Sequence, residues 1–301
     1  CLLSGGLDSS LICAIVAKHY NGPKLNTFSI GMSGSIDLEY ASKVAEYLGT
    51  KHHQIEISKE KFLDSIETVI YNIESYDTTT VRASVGNYLL GKYITDNTDC
   101  KVIFNGDGSD EVSCGYVYLK NAPDSLSLHK ENERLLEEIY YYDVLRSDRS
   151  MSSNGLEART PFLDKAFVSY YMSIPAQLKM FDGTKRLEKH LLRKAFEDDQ
   201  ILPEEVLWRR KCAFSDGVSS QKQSWHKIIQ AFVDEIVTDK EFHENKNTFI
   251  HCRPQLKESY YYRKIFEKYF IGNEKLIPNF WLPRWTDVID PSARELEDYL
   301  E

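Results

Sequence analysis

Ser4-Gly5-Gly6-Leu7-Asp8-Ser9-Ser10 combines residue types suited to gripping a phosphate. Gly5 and Gly6 lack a Cβ, so the backbone can turn tightly and approach an anion closely. Ser4, Ser9 and Ser10 add hydroxyl donors where the first N–H groups of a following helix have no partner, an arrangement that an anion completes. Asp8 alone would repel phosphate, and its natural role is to hold the Mg²⁺ that travels with ATP. No lysine follows the glycines, and GxxxxGK followed by Ser or Thr occurs nowhere, so this is not the Walker type of loop. The plain alternative is a Gly-Gly turn between a strand and a helix.

Gly106-Asp107-Gly108-Ser109-Asp110-Glu111 places three carboxylates in six residues. Such a run is usually an acidic, solvated turn. Here it follows a strand, and carboxylates beside phosphates are tolerable when a cation intervenes, which casts Asp8 and Asp110 as partners on one Mg²⁺. Asp143 is expected on a helix over 131–149, continuing the stripe Leu136, Ile139, Tyr140. A carboxylate there needs a partner, either Arg146 nearby or a ligand. Arg82 and Lys211 are the cationic candidates, because phosphoryl-type transfer depends on positioning and on spreading charge over oxygens. Thr79 and Thr80 lie beside Arg82 as hydroxyl donors. Arg209 and Arg210 read as a basic surface patch.

The elements that must position these residues alternate. Segments 1–4, 25–30, 53–57 and 102–105 read as short strands, with helices over 37–48 and 59–71 between them. This pattern predicts an α/β fold with a parallel sheet flanked by helices. Ligands bind beyond the C-terminal ends of such strands, where Ser4, Ile30 and Asn105 fall. After Leu119 the chain becomes helical, with helices expected over 131–149, 187–196, 224–236 and 259–270.

The 301 residues are 42% apolar and 28% charged, ordinary for a globular chain, and no linker, repeat or low-complexity run divides them. A single unit over 1–301 is expected. The net charge of −9 argues against nucleic acid or an anionic membrane as the main partner. Six scattered cysteines without CxxC spacing point to reduced thiols and a cytoplasmic setting. His52-His53 lacks the spacing of a metal site.

The loop Ser4–Ser10 matches SGGxDSS, the signature of the ATP-pyrophosphatase (PP-loop) family, which the chain resembles. Within that family it is similar to the synthetase half of the asparagine synthetase family. The similarity rests on residues 28–32, 34–39, Leu48-Gly49-Thr50-Lys51-His52-His53, Asp77–Ser84 (taken as a substrate loop), 106–111, 155–164, 208–217 and the tail Asp290-Pro291-Ser292-Ala293-Arg294. The resemblance implies an amide ligase that makes asparagine from aspartate and ATP through β-aspartyl-AMP, releasing pyrophosphate. Ammonia would come from an N-terminal glutaminase half absent from this chain, whose catalytic cysteine is not Cys1. Cys1 reads instead as a small buried residue of the first strand. A homodimer is one assembly the resemblance allows.

By the same resemblance Lys211 contacts the α-phosphate, Arg82 orients the acyl-adenylate, and Asp143 and Glu111 belong to the active site with Thr79 and Thr80. Leu3 and Ile30, with backbone of Asn105 and Gly106, would pocket adenosine. The family loop usually reads SGEGSDE, followed by GGY. Here Asn105 replaces Ser, Asp107 replaces Glu, and Ser113-Cys114-Gly115-Tyr116 replaces the paired glycines. Asp107 keeps the charge with a reach shorter by about one C–C bond, and a misplacement of roughly 1 Å can cost about a hundredfold in rate. Three other readings stay open: a β-lactam-synthetase-like cyclase, a nucleotide-binding protein with weakened turnover, and tRNA thiolation, against which the acidic charge counts.

Overall fold

In the computed structural model, residues 1–220 and 224–293 are described. Arg294 of the tail motif and the side chain of Asp216 lie outside them. Strand β1 (Asn26–Gly31) pairs in parallel with β2 (Lys51–Glu56), and β3 (Val102–Phe104) with β4 (Glu157–Arg159). The first residues join these two pairs. Leu2 N donates to Phe104 O at 2.9 Å, Leu3 N to Phe28 O at 2.8 Å, and Phe28 N to Cys1 O at 3.0 Å. The spatial order is therefore β2, β1, residues 1–3, β3, β4. Apolar and β-branched side chains such as Phe28, Ile30 and Ile103 suit strands buried on both faces. The result is an α/β chain, mostly helical, with small parallel sheets.

Helix α1 (Leu7–His19) follows the first loop, and α2 (Ile36–Leu48) lies between β1 and β2. Helix α3 (Ile66–Ile73) packs on α4 (Thr78–Asn97), the longest helix. Helices α5 (Ser109–Ser113) and α6 (Asp143–Ser152) carry acidic residues, and α7 (Trp225–Ile236) and α8 (Lys257–Tyr269) close the C-terminal half. The largest core cluster runs from β1 through α3 and α4 to α7 and α8. A second holds α1 and α2.

Several expectations are corrected. The helix expected over 59–71 breaks at Ser65, whose hydroxyl donates to Lys61 O at 2.8 Å and competes with the helical ladder. The segment expected as one helix over 131–149 is two, Ser125–Glu138 and α6, joined by a tight turn at Ile139–Tyr141. Tyr142 leaves helical geometry there to bury its ring and donate to Asn279 O at 2.9 Å. The helix expected from 187 begins only at His190, because Lys189 takes a left-handed backbone. Asp77–Ser84, taken as a loop, is the cap and opening of α4: Asp77 Oδ2 accepts from Thr80 N at 2.8 Å. Among the described residues, no helix is long and apolar enough to cross a membrane.

Candidate active site

The turn before α1 is held from within. Ser9 Oγ accepts from Ser4 N at 3.1 Å and donates to Gly6 O at 3.2 Å. Gly5 has φ +72, and a Cβ there would lie 2.5 Å from backbone atoms of Tyr40 and Ala41, so only glycine lets the turn seat on α2. Gly6 caps α1 with no side-chain bond, leaving the first helical N–H groups available to an anion.

The second turn, after β3, touches the first backbone to backbone. A Cβ on Gly106 would meet Asp8 C and Ser9 N at 2.8 Å. Across this contact the acidic side chains converge. Ser109 Oγ donates to Asp8 Oδ1 at 2.9 Å, while Asp8 Oδ2 and Asp110 Oδ1 lie 2.6 and 2.5 Å from one ammonium, that of Lys189. The Asp110 contact is an ion pair without hydrogen-bond alignment. Lys211 pairs with the other oxygen of Asp110. Burial would raise the Asp110 pKa, but the charges of Lys189 and Lys211 outweigh it and hold the carboxyl well below the usual range. Burial likewise disfavours charge on Lys211, and Asp110 with Asp8 more than offsets it.

One crevice gathers most of the predicted site. Leu3, Ser4, Gly6, Asp8 and Ser9 line it from the first turn, and Ile30 from the end of β1. Asn105, Gly106, Asp107 and Asp110 form the facing wall, with Thr79, Asp143 and Lys211. The buried Thr79 hydroxyl has no partner in the protein. Asp143 accepts from Arg146 Nε at 2.8 Å and Nη2 at 2.5 Å, and the same Nη2 reaches Asp107 Oδ1 at 3.1 Å. Asp143 thus has both its local partner and a place in the crevice. It opens α6 instead of continuing the earlier stripe. Burial pushes its pKa up, Arg146 opposes that, and Asp107 reinforces it.

Other predicted residues stand behind this surface. Gly5 and Ser10 are buried under the turn. Thr80 bonds to Asp77 in the cap of α4. Glu111 is buried with Oε1 accepting from Tyr116 OH at 2.6 Å and Oε2 unpartnered. Burial, then Asp143 and Asp110, push its pKa up. Arg82 does not reach the crevice lining. Its guanidinium donates to Glu258 at 2.8 and 2.6 Å and to Asp290 at 2.7 and 2.9 Å, all buried.

The family scan matches the model described as asparagine synthase over residues 1–136 and 120–289. Asparagine synthetase (glutamine-hydrolyzing) of Rattus norvegicus is 50% identical over 304 residues, covering 99% of this chain and 54% of that protein. The Gallus gallus and Cricetulus griseus proteins of the same name are each 48% identical over 303 residues, again 99% of this chain and 54% of theirs. The chain belongs to the asparagine synthase family. It spans about half the length of the curated relatives it matches.

Sequence reasoning missed three groups in and around this crevice. Lys189 went unnoticed, although it precedes Leu192 and Phe196 at helical spacing and a charge on that apolar stripe required a partner. Arg146 entered only as a neighbour of Asp143, yet it ties together two carboxylates of the crevice. Arg209 is not surface decoration: Nη1 donates to Gly5 O at 3.0 Å and Nη2 to Asp37 Oδ1 at 2.9 Å, with the guanidinium 4.1 Å above the Tyr40 ring. It clamps the first turn to α2. His52 bonds to Thr27 and Ser29, both at 3.0 Å, and His53 stacks on Phe28, so both brace β1.

Proposed function

We propose that the chain is the synthetase part of a glutamine-dependent asparagine synthetase, with the PP-loop architecture, acting on aspartate and ATP. The observation that carries this reading is the meeting of Asp8 and Asp110, from two separate strand-end turns, on one cation beside Lys211. An open run of helix N–H groups faces the same crevice.

The α1 turn and Lys211 would bind the phosphates, and Leu3 and Ile30 would flank the adenine nucleoside. The aspartate β-carboxylate attacks the α-phosphorus. The new O–P bond replaces the bond to the bridging oxygen, and pyrophosphate leaves with that electron pair. Lys211 and the turn N–H groups spread the developing charge. Thr79 offers its free hydroxyl to the amino-acid substrate, and Arg146 fixes Asp107 and Asp143 on the wall. Ammonia then attacks the acyl carbon, the C–O bond breaks, AMP departs, and in this reading Asp107 takes the proton that nitrogen releases.

Mg²⁺ fits this site. Two carboxylates already converge on a single cation, and Mg²⁺ is commonly held by one or two carboxylates together with substrate phosphates. Among the described residues no cluster of three or more acidic, His or Cys ligands exists, so further ligands would have to come from substrate phosphate or water. When bound, the ion would neutralise charge on the phosphates. Ammonia would come from a glutaminase partner domain, and six free cysteines suit a cytoplasmic enzyme.

Incubation with aspartate, ATP, Mg²⁺ and ammonium should yield asparagine, AMP and pyrophosphate in equal amounts. ADP as product would refute the reading. Tight ATP binding with no pyrophosphate under any acceptor would favour a nucleotide-binding protein that has lost turnover.

A further inference from the structure

We propose that Lys189 is a positioning residue. In the nucleotide-free chain its ammonium substitutes for the divalent cation between Asp8 and Asp110, and it turns to the phosphates when metal and nucleotide enter together. The inference rests on reading the crevice as a Mg·ATP site.

Two carboxylates held this close repel each other unless a cation separates them. The Lys189 ammonium does so, 2.6 Å from Asp8 and 2.5 Å from Asp110, with its side chain 1% exposed. The protein spends strain and space to put it there. Lys189 has φ 58 and ψ 27, a left-handed conformation that a residue with a Cβ adopts only when its surroundings impose it. Gly115 keeps the passage open: a Cβ there would lie 2.0 Å from Lys189 Cε and 2.1 Å from Asp110 Oδ1. This explains a glycine in the Ser113-Cys114-Gly115-Tyr116 segment.

Charge balance gives the lysine its function. Asp8 and Asp110 face Lys189 and Lys211, two negative charges against two positive. A divalent ion arriving alone would leave two positive charges uncompensated in a poorly solvated site. Arriving with a triphosphate, it brings the negative charge that both ammonium groups can then face. Lys189 thus makes metal entry depend on the nucleotide, and keeps the carboxylates aligned until then.

The test is equilibrium binding of Mn²⁺ to the nucleotide-free chain, followed by the electron-spin signal of free Mn²⁺, with Mg·ATP binding measured separately. Lys189→Met should bind Mn²⁺ alone at least about tenfold tighter and Mg·ATP at least about tenfold weaker. Lys189→Gln, which keeps length and a polar end, should shift both in the same directions. It also serves if the methionine variant does not fold by circular dichroism. Opposite shifts support the proposal. Any other pattern in a folded variant overturns it, including the parallel losses of a merely structural lysine. If the native chain itself binds no Mg·ATP, the underlying reading of the site fails, which is a separate outcome.

Discussion

Asp107 lies on the crevice wall with Oδ1 3.1 Å from Arg146 Nη2, sharing that guanidinium with Asp143. Its position is fixed by a charge pair, so its short side chain cannot simply lean further toward a substrate. Asp107→Glu adds one methylene, and asparagine formation should become faster, by about ten- to a hundredfold, in single-turnover measurements. An unchanged or slower rate would show that the surrounding backbone already compensates. At this scale the sequence located residues that sit at a turn of their own, as for Asp8 and Asp110, which meet in one crevice. Lys189 was hidden because its partners come from two distant turns and its direction from one left-handed residue. Arg82 was assigned by motif, but nothing local revealed that Glu258 and Asp290 would enclose it.

At the scale of elements, the two turns work only because they touch at Gly106. Gly106→Ala places a methyl 2.8 Å from the backbone of Asp8 and Ser9, which cannot give way as a flexible side chain would. Forcing the turns apart should cost about 1–3 kcal/mol in denaturant unfolding and weaken ATP binding at least about tenfold by calorimetry. A variant with native ATP affinity would separate the turn contact from nucleotide binding. Placement of β1, β2 and β3 was legible to within a few residues, because short apolar runs bounded by turn residues survive in the fold, whereas β4, three residues with two of them charged, shows no such run and was missed. Helix continuity was not. Helix α4 is buried on most sides, which erases the one-sided apolar stripe that announces a surface helix. The breaks at Ser65 and Tyr142 depend on a back-bonding hydroxyl and a distant carbonyl acceptor.

Across the whole molecule, Arg82 ties α4 to α8 through Glu258 and to the tail through Asp290. Gln230 of α7 adds a bond to Asp290 at 2.7 Å, and Ala293 just beyond lines the crevice. Burial alone would raise the Asp290 carboxyl, but the bonds and charge of Arg82 outweigh it and pull the pKa down to about 2. A depressed folded-state value contributes stability above the unfolded pKa, near 4, and loses it as pH falls through 2. The stability gap between native chain and Asp290→Asn should therefore be about 2–3 kcal/mol at pH 7 and close between about pH 4 and pH 2 in thermal melts. A gap independent of pH would assign the tail contact to packing.

The central claim, attack of a carboxylate oxygen on the innermost phosphorus of ATP, is tested most directly with aspartate labelled with ¹⁸O in its β-carboxylate. With ATP, Mg²⁺ and ammonium present, the bridging oxygen formed in the first step stays with the nucleotide when ammonia cleaves the C–O bond. One ¹⁸O atom should appear in the phosphate of AMP and none in pyrophosphate, by mass spectrometry. Label in a released phosphate, or AMP without label, would contradict the account.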